Sequence, residues 1–231
     1  MGRDTRGEPE NDAVNRNSVT NSSISSSSRS NVFLSSDPNP SQPSQQALFV
    51  QGTDGADKIE IRRGSTAGTI RVTINGVTQG QFNSSQVSRI FVYGGAGDDN
   101  ITIFDDIGAI STSIYGEAGN DAIVSGLGAN LIDGGNGNDT LVGNTGIDIL
   151  IGGRGRDSLN GNRGSDILIG GSYRYAEDPF VIDSLLAAWS QVLAYSQRVA
   201  NLKNNNWFAL NNFTVIDDGD TDSLTGGQDQ D

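Results

Sequence analysis

The 231 residues of this chain include no cysteine and no histidine. We therefore expect no disulfide, no thiol nucleophile, no His-based catalytic triad and no zinc site of the usual kind. No run of 18 apolar residues occurs, so no membrane-spanning helix is predicted. The metal ligands that remain are carboxylates and backbone carbonyls, which are the groups that hard cations prefer.

Positive charge is also scarce, with 15 Lys and Arg against 28 Asp and Glu and a formal net charge of -13. This balance argues against nucleic acids and anionic membrane surfaces as partners. The N-terminus, MGRDTRGEPENDAVNRNS, lacks the apolar segment of a cleavable secretory signal peptide. Only 34% of the residues are hydrophobic while 31 are Gly, which buries almost no apolar surface. We therefore expect a fold built from loops or repeats rather than one conventional core.

Composition divides the N-terminal part of the chain in two. Residues 1–46 are rich in Ser and Asn, with a short Pro segment, and carry too few apolar residues to offset the entropy of ordering. We predict a disordered leader there. Residues 47–93 contain DKIEIR, TIRVTI, VTQGQF and RIFVYGG, whose alternation of apolar and polar residues is typical of strands. Asn75-Gly76 predicts a hairpin turn, and we expect 47–93 to form a small antiparallel N-terminal cap.

A nine-residue repeat fills the middle of the chain. From Gly116 to Ile169 the units read GEAGNDAIV, SGLGANLID, GGNGNDTLV, GNTGIDILI, GGRGRDSLN and GNRGSDILI. The fourth residue is always Gly, the eighth is Ile or Leu, and the sixth is Asp in every unit except the one with Asn130. Outlying copies are GTDGADKIE (52–60), GGAGDDNIT (94–102) and DDGDTDSLT (217–225). A regular period of this kind indicates a repeat architecture.

The spacing within each unit predicts a cation site in each turn. Glycines let a tight turn adopt positive φ and leave its carbonyls unobstructed, while the Asp adds a carboxylate. The eighth residue points inward from a short strand, and if nine residues make half a coil, turns 18 residues apart stack about 4.8 Å apart. Calcium takes about six to eight oxygens at roughly 2.3–2.6 Å and suits such a stack. Because the carboxylates repel one another without the ion, we expect folding to be coupled to calcium binding.

The candidate metal ligands follow from the fourth and sixth positions of the units. They are Asp99, Asp121, Asp139, Asp148, Asp157 and Asp166, with the glycines Gly119, Gly137, Gly146, Gly155 and Gly164.

The 18-residue spacing divides the sixth positions into two stacks, which are Asp121, Asp139 and Asp157 on one side and Asn130, Asp148 and Asp166 on the other. We expect an ion between successive aspartates of each stack. The site between Asn130 and Asp148 should be weaker because it has lost a charge. Asp99 joins the first stack if the insertion near IFDD loops out. For Asp57, a turn-forming role and a ligand role stay open.

The repeat pattern stops after Tyr173. The segment EDPFVIDSLLAAWSQVLAYSQRVANLK carries an apolar stripe at helical spacing, which predicts one C-terminal amphipathic helix with Pro179 in its first turn. Residues 207–216, WFALNNFTVI, predict one or two short strands. We therefore expect a helix and strand cap over 173–216, followed by a short terminal repeat pair over 217–231. Asp222 and Leu224 occupy the sixth and eighth places there.

The array resembles the hemolysin-type calcium-binding repeats of RTX proteins, whose GGxGxDxUx units (U is a large aliphatic residue) form a parallel β-roll. The resemblance implies a mainly β fold with an RTX-type solenoid over 94–172, calcium as the cofactor, and an extracellular or cell-surface location in a bacterium. It also implies export by a type I secretion exporter. The C-terminal segment resembles the helix-plus-repeat module that ends many large bacterial surface proteins. Glu117, Asn144 and Asn162 stand where the family pattern has its second glycine.

Two classes of function follow. The first is calcium binding that couples folding to extracellular calcium in a secreted or surface protein. The alternative is an adhesion or carbohydrate-binding module that uses the roll face to bind a surface glycan or protein. It predicts an aligned row of exposed side chains, and the outward positions show no clear row: Ala122, Leu131, Thr140, Ile149, Ser158 and Ile167. No enzyme is expected, because G-x-S-x-G, Walker A and H-E-x-x-H motifs are missing.

Overall fold

The fold is described here from a computed structural model, for residues 30–38, 45–204, 209–211 and 214–227. Two large sheets and a pair of two-residue strands account for the strands of these residues. Two helices lie between the last repeat units. The prediction of a mainly β fold with parallel strands is confirmed.

The two large sheets share the repeat array between them. Sheet A has the order β1 (Asn31–Ser36), β2 (Gln46–Gln51), β6 (Val87–Ala96), β8 (Ser111–Ala118), β10 (Leu131–Asn136), β12 (Ile149–Arg154) and β14 (Ile167–Ile169). Sheet B has the order β17 (Ser223–Gly227), β13 (Ser158–Asn162), β11 (Thr140–Val142), β9 (Ala122–Val124), β7 (Asn100–Ile103), β3 (Lys58–Arg63), β4 (Thr69–Ile74) and β5 (Val77–Asn83). From β6 to β14 successive strands alternate between the sheets, so each coil contributes one strand to each sheet.

Antiparallel pairing is limited to the edges of the array. Strands β3, β4 and β5 pair antiparallel, as the sequence predicts. The turn between β4 and β5 is Asn75-Gly76, with φ of 51° and 77°. The prediction that RIFVYGG belongs to this antiparallel cap is wrong. That segment is β6, which pairs in parallel with β2 and β8 and is buried on both faces, as central parallel strands are.

Part of the segment predicted to be a disordered leader is ordered. Residues 31–36 form β1, which runs antiparallel to β2. Val32 and Leu34 pack against the core between the sheets, and Phe33 stacks on Phe49 with ring centroids 5.3 Å apart. The run NVFL therefore forms an edge strand despite its Ser-rich surroundings. The rest of the predicted leader, apart from residues 30, 37–38 and 45–46, lies outside the described residues.

The core between the sheets is a ladder of aliphatic side chains from the eighth positions of the units. Each is at most 1% exposed: Ile59, Ile101, Ile114, Ile123, Ile132, Leu141, Leu150 and Leu159. Since every coil adds one such residue per sheet, the core extends along the array instead of forming a globule. This arrangement fixes the turns on both sides of the ladder in register.

A second hydrophobic cluster covers the outer face of sheet A. Its helices are α1 (Pro179–Trp189) and α2 (Tyr195–Asn204), so the prediction of one C-terminal helix is wrong. The carbonyl of Trp189 accepts a hydrogen bond from Arg198 Nη1 at 3.2 Å, and the guanidinium lies 4.5 Å from the Trp189 ring centroid. Within the described residues, no helix is long and apolar enough to cross a bilayer.

The strand expected over 207–216 is short where it is described. Val215–Ile216 forms β16, which pairs antiparallel with β15 (Ser172–Tyr173). Residues 205–208 and 212–213 lie outside the described part of the chain. Pro179 occupies the first turn of α1, as predicted, and the Asp178 side chain caps the helix by accepting from the N–H groups of Phe180 and Val181.

Candidate metal centre

A ladder of six aspartates runs along the turns that lead into sheet B. The backbone N–H of each of the first five donates to Oδ1 of the Asp in the following coil, over distances from 2.7 to 3.0 Å. The members in spatial order are Asp57, Asp99, Asp121, Asp139, Asp157 and Asp222. Each side chain therefore ties its own turn to the preceding one.

The second stack lies along the turns that lead into sheet A. Asn130 N–H donates to Asp148 Oδ1 at 2.9 Å, and Asp148 N–H donates to Asp166 Oδ1 at 3.0 Å. Thr112 N–H continues the row by donating to Asn130 Oδ1 at 3.1 Å. The structure thus brings the predicted ligand positions together in the two stacks that the 18-residue spacing predicts.

In five of these aspartates the other carboxylate oxygen is left without a donor among the described residues. Within the described residues, Oδ2 is buried and has no hydrogen-bond partner in Asp99, Asp121, Asp139, Asp148 and Asp157. These side chains, like Asp166, are at most 2% exposed. An unsatisfied buried polar group costs roughly 1–3 kcal/mol, and more if it is charged. Each of these Oδ2 atoms is therefore satisfied only when a cation or a proton binds to it.

The first glycine of each unit forms one wall of this space. A Cβ on Gly134 would contact Asp139 Oδ2 and would lie 2.7 Å from the carbonyl oxygen of Gly152 in the next coil. A Cβ on Gly143 would lie 2.8 Å from Asp148 Oδ2 and 2.9 Å from the Gly161 carbonyl oxygen. Any side chain would fill the cradle in which a carboxylate oxygen and a backbone carbonyl oxygen converge. The residues therefore fit a bound cation.

The glycines predicted as site residues have a backbone that only glycine tolerates. Their φ values lie between 120° and 145°: Gly119, Gly137, Gly146, Gly155 and Gly164. At Gly137 a Cβ would also collide with the carbonyl oxygen of Gly119 in the preceding coil. Glycine at this position thus permits both the turn and the close approach of successive coils.

Burial shifts the titration of the stacked carboxyl groups. It raises the pKa of Asp99 and Asp139 to about 7 and the pKa of Asp148 to about 8. It also raises the pKa of Asp121 and of Asp157. Loss of hydration is the largest cause, and backbone N–H donors oppose it. The charged form is thus penalised in the fold, and a cation between stacked carboxylates would reverse that penalty.

The donor set also limits which cation fits. Among the described residues, no group of three or more His, Cys, Asp or Glu side chains could hold a metal ion. Each pair of stacked aspartates offers two carboxylates, so further oxygens would come from backbone carbonyls and water. Calcium accepts carbonyl oxygens and a high, flexible coordination number, whereas zinc prefers nitrogen and sulfur.

Asn130 has an amide nitrogen at the position where the aspartates of the stacks have Oδ2. Its Nδ2 donates to Gly128 O at 2.7 Å, to Asp148 Oδ1 at 2.9 Å and to Gly126 O at 3.1 Å. It also donates to Ser125 Oγ at 3.2 Å. The sequence predicts a weaker ion site here. The geometry shows protein N–H groups directed at oxygens that an ion would otherwise meet.

Asp57, for which two roles were open, has donors on both oxygens. Thr53 Oγ1 donates to Oδ2 at 2.9 Å, and Thr53 N–H donates to the same oxygen at 2.5 Å. Asn75 Nδ2 donates to Oδ1 at 2.5 Å. These contacts favour the turn-forming role. The sequence identified Asn75 only as a hairpin residue, because its contact with Asp57 crosses from β4 to the first turn.

The insertion between Asp99 and Asp121 loops out of the coil. It forms a short 3-10 turn, Asp105–Ile107, beside β3. Asp106 Oδ1 accepts from Arg63 N–H at 2.8 Å, and Asp105 Oδ1 accepts from Asn144 Nδ2 at 2.7 Å. The extra residues therefore do not interrupt the ladder, and Asp99 takes its place beside Asp121.

Comparison with known proteins agrees with this geometry. Residues 91–102, 111–141 and 142–172 match the family model of the RTX calcium-binding nonapeptide repeat, in four copies. No curated protein and no solved structure gives a significant match. Because repeats of this family bind Ca²⁺, the cation of the stacked turns is assigned. The matched part of this chain is therefore an array of RTX-type nonapeptide repeats, whose cofactor is calcium.

Proposed function

We propose that calcium completes the folding of this chain as a parallel β-roll in a secreted or surface protein. The observation that carries the proposal is the row of buried Oδ2 atoms in Asp99, Asp121, Asp139 and Asp157, which have no donor in the part of the chain that the structure describes. Without the ion, each ionised carboxylate opposes formation of the stack. With it, the same carboxylates hold adjacent coils together.

The energies involved are large enough to decide whether the array folds. At a free calcium concentration ten times Kd, one site contributes about 1.4 kcal/mol, and three or four sites contribute about 4–6 kcal/mol. A whole domain is commonly stable by only about 5–15 kcal/mol. Calcium would thus supply a large share of the free energy of unfolding.

This coupling suits a protein that meets calcium only outside the cell. Proteins with RTX repeats are typically secreted. At low cytoplasmic calcium the carboxylates repel one another, which favours an unfolded chain that a type I exporter could thread. External calcium would then lock the fold. In this proposal the module is not an enzyme, since its buried carboxylates are committed to the turns.

The test is far-UV circular dichroism of the full chain during a calcium titration, with magnesium as the control. We expect the β-sheet signal to rise with calcium and not with magnesium, because magnesium dehydrates reluctantly and demands a rigid octahedral site. A signal that is complete in chelator and does not change with calcium would contradict the proposal.

One observation favours a second candidate, adhesion through the roll face. The outward positions next to the eighth residues show no clear row in sequence order, but in the fold they alternate between sheet A and sheet B. Leu131, Ile149 and Ile167 are buried under the helices, while an aligned row on sheet B is exposed. Its members in register are Lys58, Asn100, Ala122, Thr140, Ser158 and Ser223. This exposed row, in which four of the six side chains are Asn, Thr or Ser, could contact a surface glycan or protein.

Substitution of Thr140 by Lys tests the adhesive role. The side chain is exposed, so folding and calcium binding should not change. Binding to a panel of bacterial and host surface glycans should fall in the variant if the row is the contact surface. Equal binding of the two proteins, or none by either, would contradict this second candidate.

A further inference from the structure

The last strand of sheet B comes from far along the chain. Strand β17 pairs in parallel with β13, with Ser223 opposite Ser158 and Leu224 opposite Leu159. Asp157 N–H donates to Asp222 Oδ1 at 3.0 Å across a sequence separation of 65 residues, whereas the rungs within the regular array span 18. Both helices lie in the chain between these partners.

The unit that supplies this strand is divided into two pieces. A Cβ on Gly170 would contact Asp222 Oδ2, as a Cβ on Gly134 would contact Asp139 Oδ2. Gly170 therefore holds the place of the first glycine, while Asp222 and Leu224 hold the sixth and eighth places. We call Gly170–Tyr173 together with Val215–Leu224 the split repeat. Residues 174–214, which include α1 and α2, form the inserted segment.

The base of the inserted segment is closed by a short ladder. Strands β15 and β16 pair antiparallel, with Tyr173 opposite Val215 and Ser172 opposite Ile216. Gly153 N–H donates to Gly170 O at 3.1 Å, which attaches the first piece of the split repeat to the array. Gly155 N–H donates to Asp218 Oδ2 at 2.7 Å, which attaches the second piece. Both pieces therefore dock on the same preceding turn.

We propose that a calcium ion binds between Asp157 and Asp222 and holds the two pieces of the split repeat together. Asp157 is 2% exposed, and its Oδ2 has no hydrogen-bond partner within the described residues. A Cβ on Gly152 would contact that oxygen and the carbonyl oxygen of Gly170, so oxygens from the array and from the split repeat converge there. The family match ends at residue 172 and does not include Asp222. The inference rests on the calcium binding proposed above.

This ion would stabilise the position of β17 at the end of the array more than the positions of α1 and α2. Helix α1 has its own attachments to sheet A, since Arg89 Nη2 lies 2.6 Å from Asp183 Oδ1 and Trp189 Nε1 donates to Ser165 O at 2.8 Å. Strand β17 is an edge strand, and Leu224 is 50% exposed. Its position therefore depends on backbone pairing with β13 and on the ion. Loss of this ion alone, with the other sites filled, should release residues 215–227 while α1 retains these contacts.

The test compares Asp222→Asn with Asp220→Asn in the full chain. The control removes the same charge two residues away, from an exposed position outside the ladder. We expect Asp222→Asn to bind one calcium ion fewer by isothermal titration calorimetry. We also expect about tenfold less hydrogen-exchange protection of residues 215–227 in calcium at ten times Kd, which is the factor that one site supplies. Asp220→Asn should change neither measurement.

Two further measurements separate this inference from the proposed function. If Asp139→Asn lowers the calcium stoichiometry but Asp222→Asn does not, the split-repeat site is absent while the array still binds calcium. If the wild-type chain binds no calcium, the proposed function itself fails. Hydrogen exchange of the wild type avoids any folding defect of the variants. Equal protection of residues 215–227 in chelator and in calcium would overturn the inference.

Discussion

The N-terminal end of the Asp ladder and its interior close the same kind of turn by different means. At the end, Asp57 accepts hydrogen bonds from Thr53 and Asn75 on its two oxygens. In the interior, Asp121 and Asp139 each keep a buried oxygen without a donor in the described residues. The comparison teaches that protein N–H and O–H groups complete one repeat turn, whereas the interior turns leave an oxygen for the ion that we propose.

The second stack shows the same contrast between its two ends. The Asn130 amide meets oxygens of Ser125, Gly126 and Gly128, whereas Asp148 retains a buried oxygen without a donor in the described part of the chain. Both stacks thus begin, on the side of β3 to β5, with side-chain oxygens that accept hydrogen bonds from protein groups.

Acidification should replace calcium in the interior turns, and this is the largest effect we expect. The folded-state pKa values of about 7 for Asp99 and Asp139 and about 8 for Asp148 lie above the usual value near 3.8. The folded state therefore binds protons more tightly than the unfolded state. The stability that protonation supplies is complete below about pH 4 and is lost as the pH rises through about 7–8.

Thermal unfolding in calcium-free buffer between pH 5 and pH 8.5 checks this prediction. Tm should fall with rising pH in calcium-free protein, and the increase in Tm on adding calcium should be larger at pH 8.5 than at pH 5. The calcium-loaded samples control for the general change in net charge. A calcium-free Tm that rises over this range would contradict the assignment.

The substitution Asp139→Asn should have the next largest effect, because Asp139 faces stacked partners on both sides. Two sites would be impaired, which corresponds to about 3 kcal/mol of unfolding free energy at calcium ten times Kd. In chelator the variant should be no less stable than the wild type, since a buried carboxylate is removed. Urea unfolding with and without calcium measures both effects. Asp54→Asn, in an exposed position, is the matched control and should change neither value.

The reverse substitution, Asn130→Asp, should convert a hydrogen-bonded rung into an ion site. In chelator the loss of the Nδ2 donors and the added buried charge should cost roughly 2 kcal/mol. In calcium the variant should bind one more ion than the wild type, measured by calorimetry. Asn120→Asp is a control at an exposed position inside the unit that begins at Gly116. Unchanged stability in chelator would show that the amide contacts do not stabilise the rung.

The smallest effect expected is that of Glu117→Gly. Glu117 has a φ of 73° at the second-glycine position, where Gly135 and Gly153 have 101° and 105°. Relief of the left-handed conformation should stabilise the chain by about 1 kcal/mol in both chelator and calcium. The calcium stoichiometry should not change. A gain seen only in calcium would indicate that Glu117 acts on the ion site instead of on the backbone.

Local periodicity accounts for what the sequence predicted correctly. The aliphatic eighth positions form the core ladder, and Asp99, Asp139 and Asp148 lie in the stacks that their spacing predicts. Each coil contacts only its neighbours, so a regular period translates directly into a spatial repeat. The ligand role of each of these residues is a prediction that the substitutions above examine.

The structure differs from the sequence prediction where the sequence pattern is short or where strand and helix contacts involve distant segments. The run NVFL is too brief to stand out from the Ser-rich segment around it, although it forms β1. The alternation in RIFVYGG identifies a strand but not its direction, which depends on the neighbours β2 and β8. The chain breaks between α1 and α2, and Arg198 of α2 packs back on Trp189 of α1, a contact that apolar spacing does not reveal.

The sequence by itself determined the repeat, its parity, the mainly β fold and the choice of a hard cation, because each follows from residues within one or two coils. Only the tertiary structure decided which turns are closed by protein donors, since the Asn75 contact with Asp57 and the Asn130 contacts join different turns. It also placed Asp222 beside Asp157 across the inserted segment. Such pairings depend on where distant segments meet, and a local periodic signal carries no information about that distance.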